Sequence, residues 1–349
     1  PISVIKMSAS QVTKLAIGPA IDNPKEVSTG FWESLHSLGG GWMWDKIEPG
    51  KDTPADVLWV ADSLRDGSLI WATDGSYDRK KAIDLCGVGW IIFCTNTGFR
   101  VTGTFWERSF AASSYRAELL GLCALHLFAQ AIAEFHSVKG WTALLCCDNK
   151  RALEAATYHN RRIRADILRS LKAVKPLLNG TFHYTHVYGH MDRMLKWEQL
   201  TLTQQINCAC DTIAKRSITS AIANGYHDRP TQFLPREDVA LVIWGQKITG
   251  DISPHIRFHA SKEVARKYLA SRLRNKWSSE RFDAVDWEHL DLALKNKPDM
   301  YRIWRSKQHS GFCGTRVQVG RYSGELLPDK RCPNCGRRET AAHLMICPD

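Results

Sequence analysis

The chain has 349 residues, 44% of them hydrophobic and 13 of them Trp, which is enough for about two domains with packed cores. No uninterrupted apolar run reaches the ~18 residues of a membrane span, and no signal-peptide pattern opens the sequence, so no membrane partner is expected. A net charge of +11 and a pI near 9.1 favour a polyanionic partner, nucleic acid first.

In chain order, residues 1–66 read as a lead-in or connection segment. Gly39-Gly40-Gly41, Pro49 and Pro54 punctuate it, and Trp32, Trp42 and Trp44 are expected to pack it onto a neighbour. Residues 67–222 read as one compact domain. Apolar, β-prone runs at 69–73, 87–94 and 99–106 are expected as a strand and two hairpin neighbours. A long helix follows over about 113–136, capped by Ser113 or Ser114. The run WTALLCC (141–147) ends on Asp148. Helices near 149–157 and 166–177, an alternating strand over 181–189 and a helix over about 200–222 complete the pattern. Strands and helices in this order imply a mixed sheet covered by helices on both faces.

Residues 223–260 carry loop signals around the stretch VALVIWG and read as a linker. Residues 261–349 read as a basic helical segment ending in a Cys/His module. Val264, Tyr268, Leu269, Leu273 and Trp277 form its expected apolar stripe, opposite Lys267, Arg274 and Arg281. The eleven cysteines are an odd number, and Cys94, Cys123, Cys146 and Cys147 sit inside apolar runs as small hydrophobes. A reducing, intracellular location (cytoplasm or nucleus) is expected. The chain opens on Pro1 rather than Met, and we expect a piece of a longer product.

Four acids stand out. Asp74 and Asp148 each close an apolar strand, and functional groups gather beyond the carboxyl ends of strands in α/β sheets. Glu118 is the one formally charged residue between Ala117 and Ala133, in the first turn of an otherwise apolar helix. Asp211 lies four residues after Asn207, on the face next to the core positions Ile206, Cys210 and Ile213. Clustered carboxylates raise one another's pKa values. Hard divalent cations resolve the conflict, and a pair of ions about 3.5–4 Å apart can clamp both oxygens of a phosphodiester displacement. A bound divalent metal ion, Mg²⁺ by its preference for oxygen ligands, is therefore expected at Asp74.

At the C-terminus, Cys332-x2-Cys335-x7-His343-x3-Cys347 offers four N/S ligands for a tetrahedral, structural Zn²⁺. Disulfides are the alternative, disfavoured by the expected compartment. A second apparent cluster, His186, His190, Cys208 and Cys210, is not read as zinc, because Cys208 and Cys210 point to nearly opposite sides of a helix.

These residues resemble the ribonuclease H family. The motifs are Asp74-Gly75-Ser76, then Tyr115-Arg116-Ala117-Glu118-Leu119, then Cys147-Asp148-Asn149 with Ala152-Leu153, then Val187-Tyr188-Gly189-His190 with Asn207-x3-Asp211 and Ala214. They look closest to the ribonuclease H regions of retroelement reverse transcriptase polyproteins, which often end in a small Cys/His cluster. The resemblance implies an α/β fold with a five-stranded mixed sheet, hydrolysis of the RNA strand of RNA–DNA hybrids, and two Mg²⁺ or Mn²⁺ ions. By family role Asp74 bridges two ions, Glu118 and Asp148 complete one site, and Asp211 completes the other. His190 matches a mobile-loop histidine that aids proton transfer or product release, and imidazole titrates in the right range. A reverse transcriptase domain of the same polyprotein is the implied protein partner. Ser76, Asn149 and Asn207, within the motifs, are expected nucleic-acid contacts. Some relatives carry a basic helical protrusion where this chain has a short turn with Arg161, Arg162 and Arg164, which are expected to contact nucleic acid in its place. A nucleic-acid-binding module without catalysis, and an integrase- or transposase-like transferase on the same fold, remain alternatives.

Overall fold

The computed structural model describes residues 2–8, 11–17, 30–38, 40–109, 111–157, 166–228, 232–235, 237, 239–243, 246–249, 252–271, 277–294, 297–310, 314–317, 319, 329–340 and 343–347. The chain forms two compact units, Pro1–His255 and Ile256–Asp349.

After β1 (Ile2–Ser8) and β2 (Gln11–Ile17), the first unit is built on a mixed sheet of β3 (Lys46–Pro49), β4 (Leu69–Ser76), β5 (Leu85–Cys94), β6 (Arg100–Arg108), β7 (Trp141–Cys147) and β8 (Gly180–His186). Its order is β3-β6-β5-β4-β7-β8. The β4–β5–β6–β3 pairings are antiparallel, and β4, β7 and β8 run parallel. This is the expected mixed α/β architecture, with six strands where five were expected. The sixth comes from the lead-in: Lys46–Pro49 pairs with Thr104–Val101 and covers the free edge of β6. The reading of 181–189 as strand also ran too long. The β7–β8 ladder ends at Cys147–His186, and beyond it the Val187 N–H still donates to the Cys147 carbonyl.

After α1 (Phe31–Ser37) and α2 (Leu58–Asp66), the long helix α3 (Ser114–Phe135) is capped by Ser113, whose hydroxyl accepts the Arg116 N–H. By length and composition alone α3 would span a membrane, but 89% of that stretch is buried here as the core helix. It packs on one face of the sheet, where Phe128 meets Trp71, Trp90 and Trp44 edge-on or tilted at ring separations of 5.5–6.3 Å. The lead-in is thus part of the core: Trp44 is buried, Trp42 Nε1 donates to Phe233 O, and Trp32 stays at the rim beside Phe31. Helix α6 (Leu202–Ala223) covers the opposite face, opened by a reciprocal Thr201–Gln204 capping box. Between them in sequence are α4 (Lys150–Thr157) and α5 (Asp166–Val174). The latter stops short of the expected 177 because Pro176 sits in a following 3₁₀ turn.

Most of the residues expected to link the domains, as far as His255, fall in this unit. Val239–Ile243 is a strand, β9, pairing with β2 (Gln11–Ile17), which pairs with β1 (Ile2–Ser8). A short β10 (Gln246–Lys247) follows. Lys247 is buried against Asp166, Glu237 and the Gln232 carbonyl.

The second unit is helical. It contains most of α7 (Ile252–Ser271), α8 (Ser279–Asp283), α9 (Trp287–Leu294), α10 (Asp299–Ser310) and a short turn at His343–Ile346. Its small core joins Leu269, Trp277 and Phe282. Of the expected stripe, Leu269 and Trp277 are buried, whereas Val264 and Tyr268 are exposed; Leu273 and Arg274 lie outside the described residues. Packing passes instead through Phe282 and Trp287, whose rings are 4.5 Å apart. Arg281 stacks over Trp277 at 4.8 Å.

Candidate metal centre

Asp74 lies near the carboxyl end of β4 and is 4% exposed. Its neighbour Gly75 lets α3 approach, since a Cβ there would stand 2.6 Å from both Ala117 Cβ and Glu118 N. That close contact brings Glu118, 3% exposed, beside the strand end. Asp148 follows β7 directly. Gly189, beyond β8, packs so tightly on it that a Cβ would lie 2.2 Å from Asp148 Oδ2. Asp211 comes from the middle of α6, on the other side of the sheet from α3.

Three of the acids feel their neighbours. Burial first, then the charge of Asp148 and, more weakly, that of Asp211, pushes the Asp74 carboxyl up to about 7, against an opposing hydrogen bond with Glu118. Glu118 is raised well above the usual carboxylate range by burial, then by Asp74 and Asp148. Asp148 is raised by burial and by Asp211, with His190 and His186 acting in the other direction. Asp74 Oδ2 is buried with no hydrogen-bond partner among the described residues. A buried, unpartnered carboxylate oxygen facing like charges is a position that a cation or a proton must stabilise. The donor set is all carboxylate, apart from one thiol, and fits hard divalent ions.

The thiol belongs to Cys147. Its Sγ donates to Glu118 Oε2 at 3.3 Å, and ligand atoms of Glu118, Cys147 and Asp148 all lie within 4.8 Å of one another. Reading Cys147 as a small core hydrophobe missed this contact; its place directly before Asp148 was the available signal. Asp211 is engaged differently. Its Oδ2 is 2.5 Å from Lys215 Nζ and 3.7 Å from His190 Nδ1. The i,i+4 spacing of Asp211 and Lys215 on one helix could have revealed that pair. His190 has a left-handed backbone (φ 54°) and a half-exposed ring at the mouth of the site.

The remaining expected contacts divide. Ser76 is half-buried at the end of β4. Asn149 Oδ1 accepts the Ala152 N–H and so opens α4. Asn207 is almost fully buried, and neither atom of its amide finds a partner among the described residues. Arg161, Arg162 and Arg164 lie outside the described residues.

In the second unit, Cys332, Cys335, His343 and Cys347 have ligand atoms all within 4.8 Å of one another. Cys335 Sγ is 3.1 Å from His343 Nε2, and Cys332 Sγ is 3.9 Å from Cys347 Sγ. All three cysteines are free thiols. Gly336, at φ 69°, turns the chain so that its N–H reaches the Cys332 carbonyl. Backbone N–H groups of Cys335 and Asn334 draw the Cys332 thiol down to about 6, as a thiolate ligand requires. The four donors suit tetrahedral zinc.

No protein-family model matches this sequence, and neither does any curated protein. Solved structures are similar over somewhat less than half of the chain. One is RNase H1 from the halophilic archaeon Halobacterium salinarum, at 19% identity over 44% of this chain and 98% of that one, with a TM-score of 0.30. A second is LC11-RNase H1 in complex with an RNA/DNA hybrid, at 10% identity over 44% and 99%, with a TM-score of 0.33. A third is the RNase H domain of PFV, at 14% identity over 44% and 95%, with a TM-score of 0.32. These likenesses concern the fold alone.

Proposed function

We propose that the first unit is a metal-dependent endonuclease that hydrolyses the RNA strand of RNA–DNA hybrids. The observation that carries this reading is the meeting of Asp74, Glu118, Asp148 and Asp211 from four separate elements, with Asp74 Oδ2 buried and unpartnered. Two bound Mg²⁺ or Mn²⁺ ions would supply an activated water and neutralise the leaving oxygen. Asp74 would help to hold both ions, Glu118 and Asp148 one of them and Asp211 the other. The Cys147 hydrogen bond orients Glu118 Oε2. His190, exposed beside Asp211, is placed to pass a proton at the site's mouth. The choice of RNA in a hybrid rests on the motif resemblance, with Ser76, Asn149, Asn207 and the Arg161–Arg164 turn as candidate substrate contacts.

The same resemblance, together with the downstream Cys/His module, supports a place in a retroelement reverse transcriptase, with the polymerase domain as protein partner. The free cysteines support a reducing, intracellular setting. We assign one structural Zn²⁺ to the C-terminal cluster. As domain limits we propose 67–222 for the catalytic domain, after a lead-in over 1–66, then 223–260 and the basic module over 261–349.

Incubation with labelled RNA–DNA hybrid, duplex RNA and duplex DNA tests the activity. The expected result is Mg²⁺-dependent cleavage of RNA in the hybrid only, abolished by EDTA and by Asp74→Asn. Cleavage retained in Asp74→Asn, or binding of the hybrid without cleavage at any Mg²⁺ or Mn²⁺ concentration, contradicts it.

A further inference from the structure

Helix α10 (Asp299–Ser310) has an unusual surface. Along residues 299–307 every side chain is exposed except Arg305, which is half-buried. A helix of twelve residues is marginal in water without a packed face, and this one sets large apolar groups in solvent instead. Tyr301 and Trp304 are 43% and 44% exposed, and Met300 is 78% exposed. The two rings are one turn apart on the same side of the helix, with centroids 5.7 Å apart. The Arg305 guanidinium lies 5.9 Å from the centre of the Trp304 ring.

The charge on the helix is one-sided. Arg302, Arg305 and Lys307 face a single acid, Asp299, which pairs with Arg302 at 3.6 Å on the solvent side. Residues 256–349 also carry the larger part of the chain's net charge of +11. Exposed aromatic rings alternating with arginines are complementary to a strand that offers both phosphates and unstacked base faces. A duplex offers the phosphates but keeps its base faces stacked inside. An apolar protein surface would satisfy the rings but not the guanidinium groups.

We propose that α10 is a binding strip for an unpaired polynucleotide strand, with Tyr301 and Trp304 stacking on bases and Arg302 and Arg305 holding the flanking phosphates. Stacking reads the π-face rather than base edges or sugar, so the strip takes RNA and DNA alike. It is a separate function from hybrid cleavage and does not depend on the four acids.

The test is fluorescence anisotropy of labelled 20-mers, oligo(dT) and oligo(rU), and of a blunt RNA–DNA hybrid, with the 349-residue chain and no added Mg²⁺. Tyr301→Ala/Trp304→Ala is expected to weaken both single strands by about tenfold or more, as loss of base stacking does, and to leave the blunt hybrid unchanged. Tyr301→Phe/Trp304→Phe keeps the rings and is expected to restore most of the affinity, which separates stacking from damage to the fold. Arg302→Ala/Arg305→Ala is expected to reduce the salt dependence of single-strand binding. Wild-type affinity for both oligonucleotides in the double alanine variant, equal losses on single strand and hybrid, or no rescue by phenylalanine would overturn the proposal.

Discussion

Arg116 holds Asp166 with two parallel bonds, Nη1 to Oδ1 at 2.8 Å and Nη2 to Oδ2 at 2.9 Å, while Nε and Nη2 grip Glu107 from the other side. All three are buried, and Lys247 adds a second cation 3.5 Å from Asp166. Arg116 is two residues before Glu118, so this network ties the first turn of α3 to β6, to α5 and, through Lys247, to β10. Arg116→Met strands two carboxylates without their main cation. It is expected to destabilise the first unit by about 3–5 kcal/mol, measured by urea denaturation. Arg116 and Asp166 also set an acid limit. The Asp166 carboxyl is held well below its ordinary range by the Arg116 hydrogen bond and charge, which outweigh burial. Its contribution to stability is therefore complete above the unfolded pKa near ~4 and is lost as pH falls through the lower folded value. Asp166→Asn should flatten the stability profile below about pH 4.

His126 sets a second, higher pH window. Its ring is buried, with Nδ1 2.6 Å from Leu122 O and Nε2 2.7 Å from the Tyr184 hydroxyl. A carbonyl can only accept, so Nδ1 carries the proton and Nε2 accepts from Tyr184. Burial pushes its pKa down to about 4, below the ordinary ~6.5. The unfolded chain then binds more protons between those values, so stability falls as pH drops from ~6.5 toward ~4. Thermal unfolding of His126→Gln should show a weaker dependence across that interval; an unchanged slope would show that the ring is not buried neutral.

Gly75→Ala tests the approach of α3 to β4. The added Cβ meets backbone and Cβ atoms at 2.6 Å, and neither can rotate away. A loss of about 1–3 kcal/mol in stability is expected. Because the displaced residues include Glu118, hybrid cleavage should fall further than the stability loss explains, read as kcat on the folded fraction.

Lys215→Ala removes the cation that occupies Asp211 Oδ2. Lys215 is half-exposed, and such i,i+4 pairs are worth roughly 0.3–0.5 kcal/mol. Asp211 then becomes easier for a divalent ion to engage. The Mg²⁺ concentration for half-maximal cleavage should drop by about twofold, which is what that energy corresponds to. A rise instead would mean that Lys215 supports the site.

Metal analysis by mass spectrometry should find one zinc per chain, bound by Cys332, Cys335, His343 and Cys347. Cys335→Ser is expected to lose it, with loss of order around residues 329–347 seen by hydrogen exchange. Full zinc occupancy in that variant would exclude the assignment.

The acids were legible in the sequence because each stands in a local pattern: Asp74 and Asp148 after apolar strands, Glu118 alone in an apolar helix, Asp211 beside a core stripe. The same patterns placed the sheet strands Leu69–Ser76, Leu85–Cys94, Arg100–Arg108 and Trp141–Cys147 and the helices α3 and α6 within a few residues. Patterns of period 2 or 3.6 report which face of an element is buried, and nothing about what lies across the gap. The edge strand Lys46–Pro49 escaped for that reason, since four residues with one half-buried side chain carry no alternation to read.

Composition and local periodicity determined the elements of this protein, its charge and the residue types available for chemistry, because those depend on neighbours along the chain. Only the tertiary structure decided that Cys147 bonds Glu118 and that Lys247 closes the Arg116 network from 131 residues away. Each of those contacts joins side chains through space, and their energies depend on distances and burial that sequence separation does not encode.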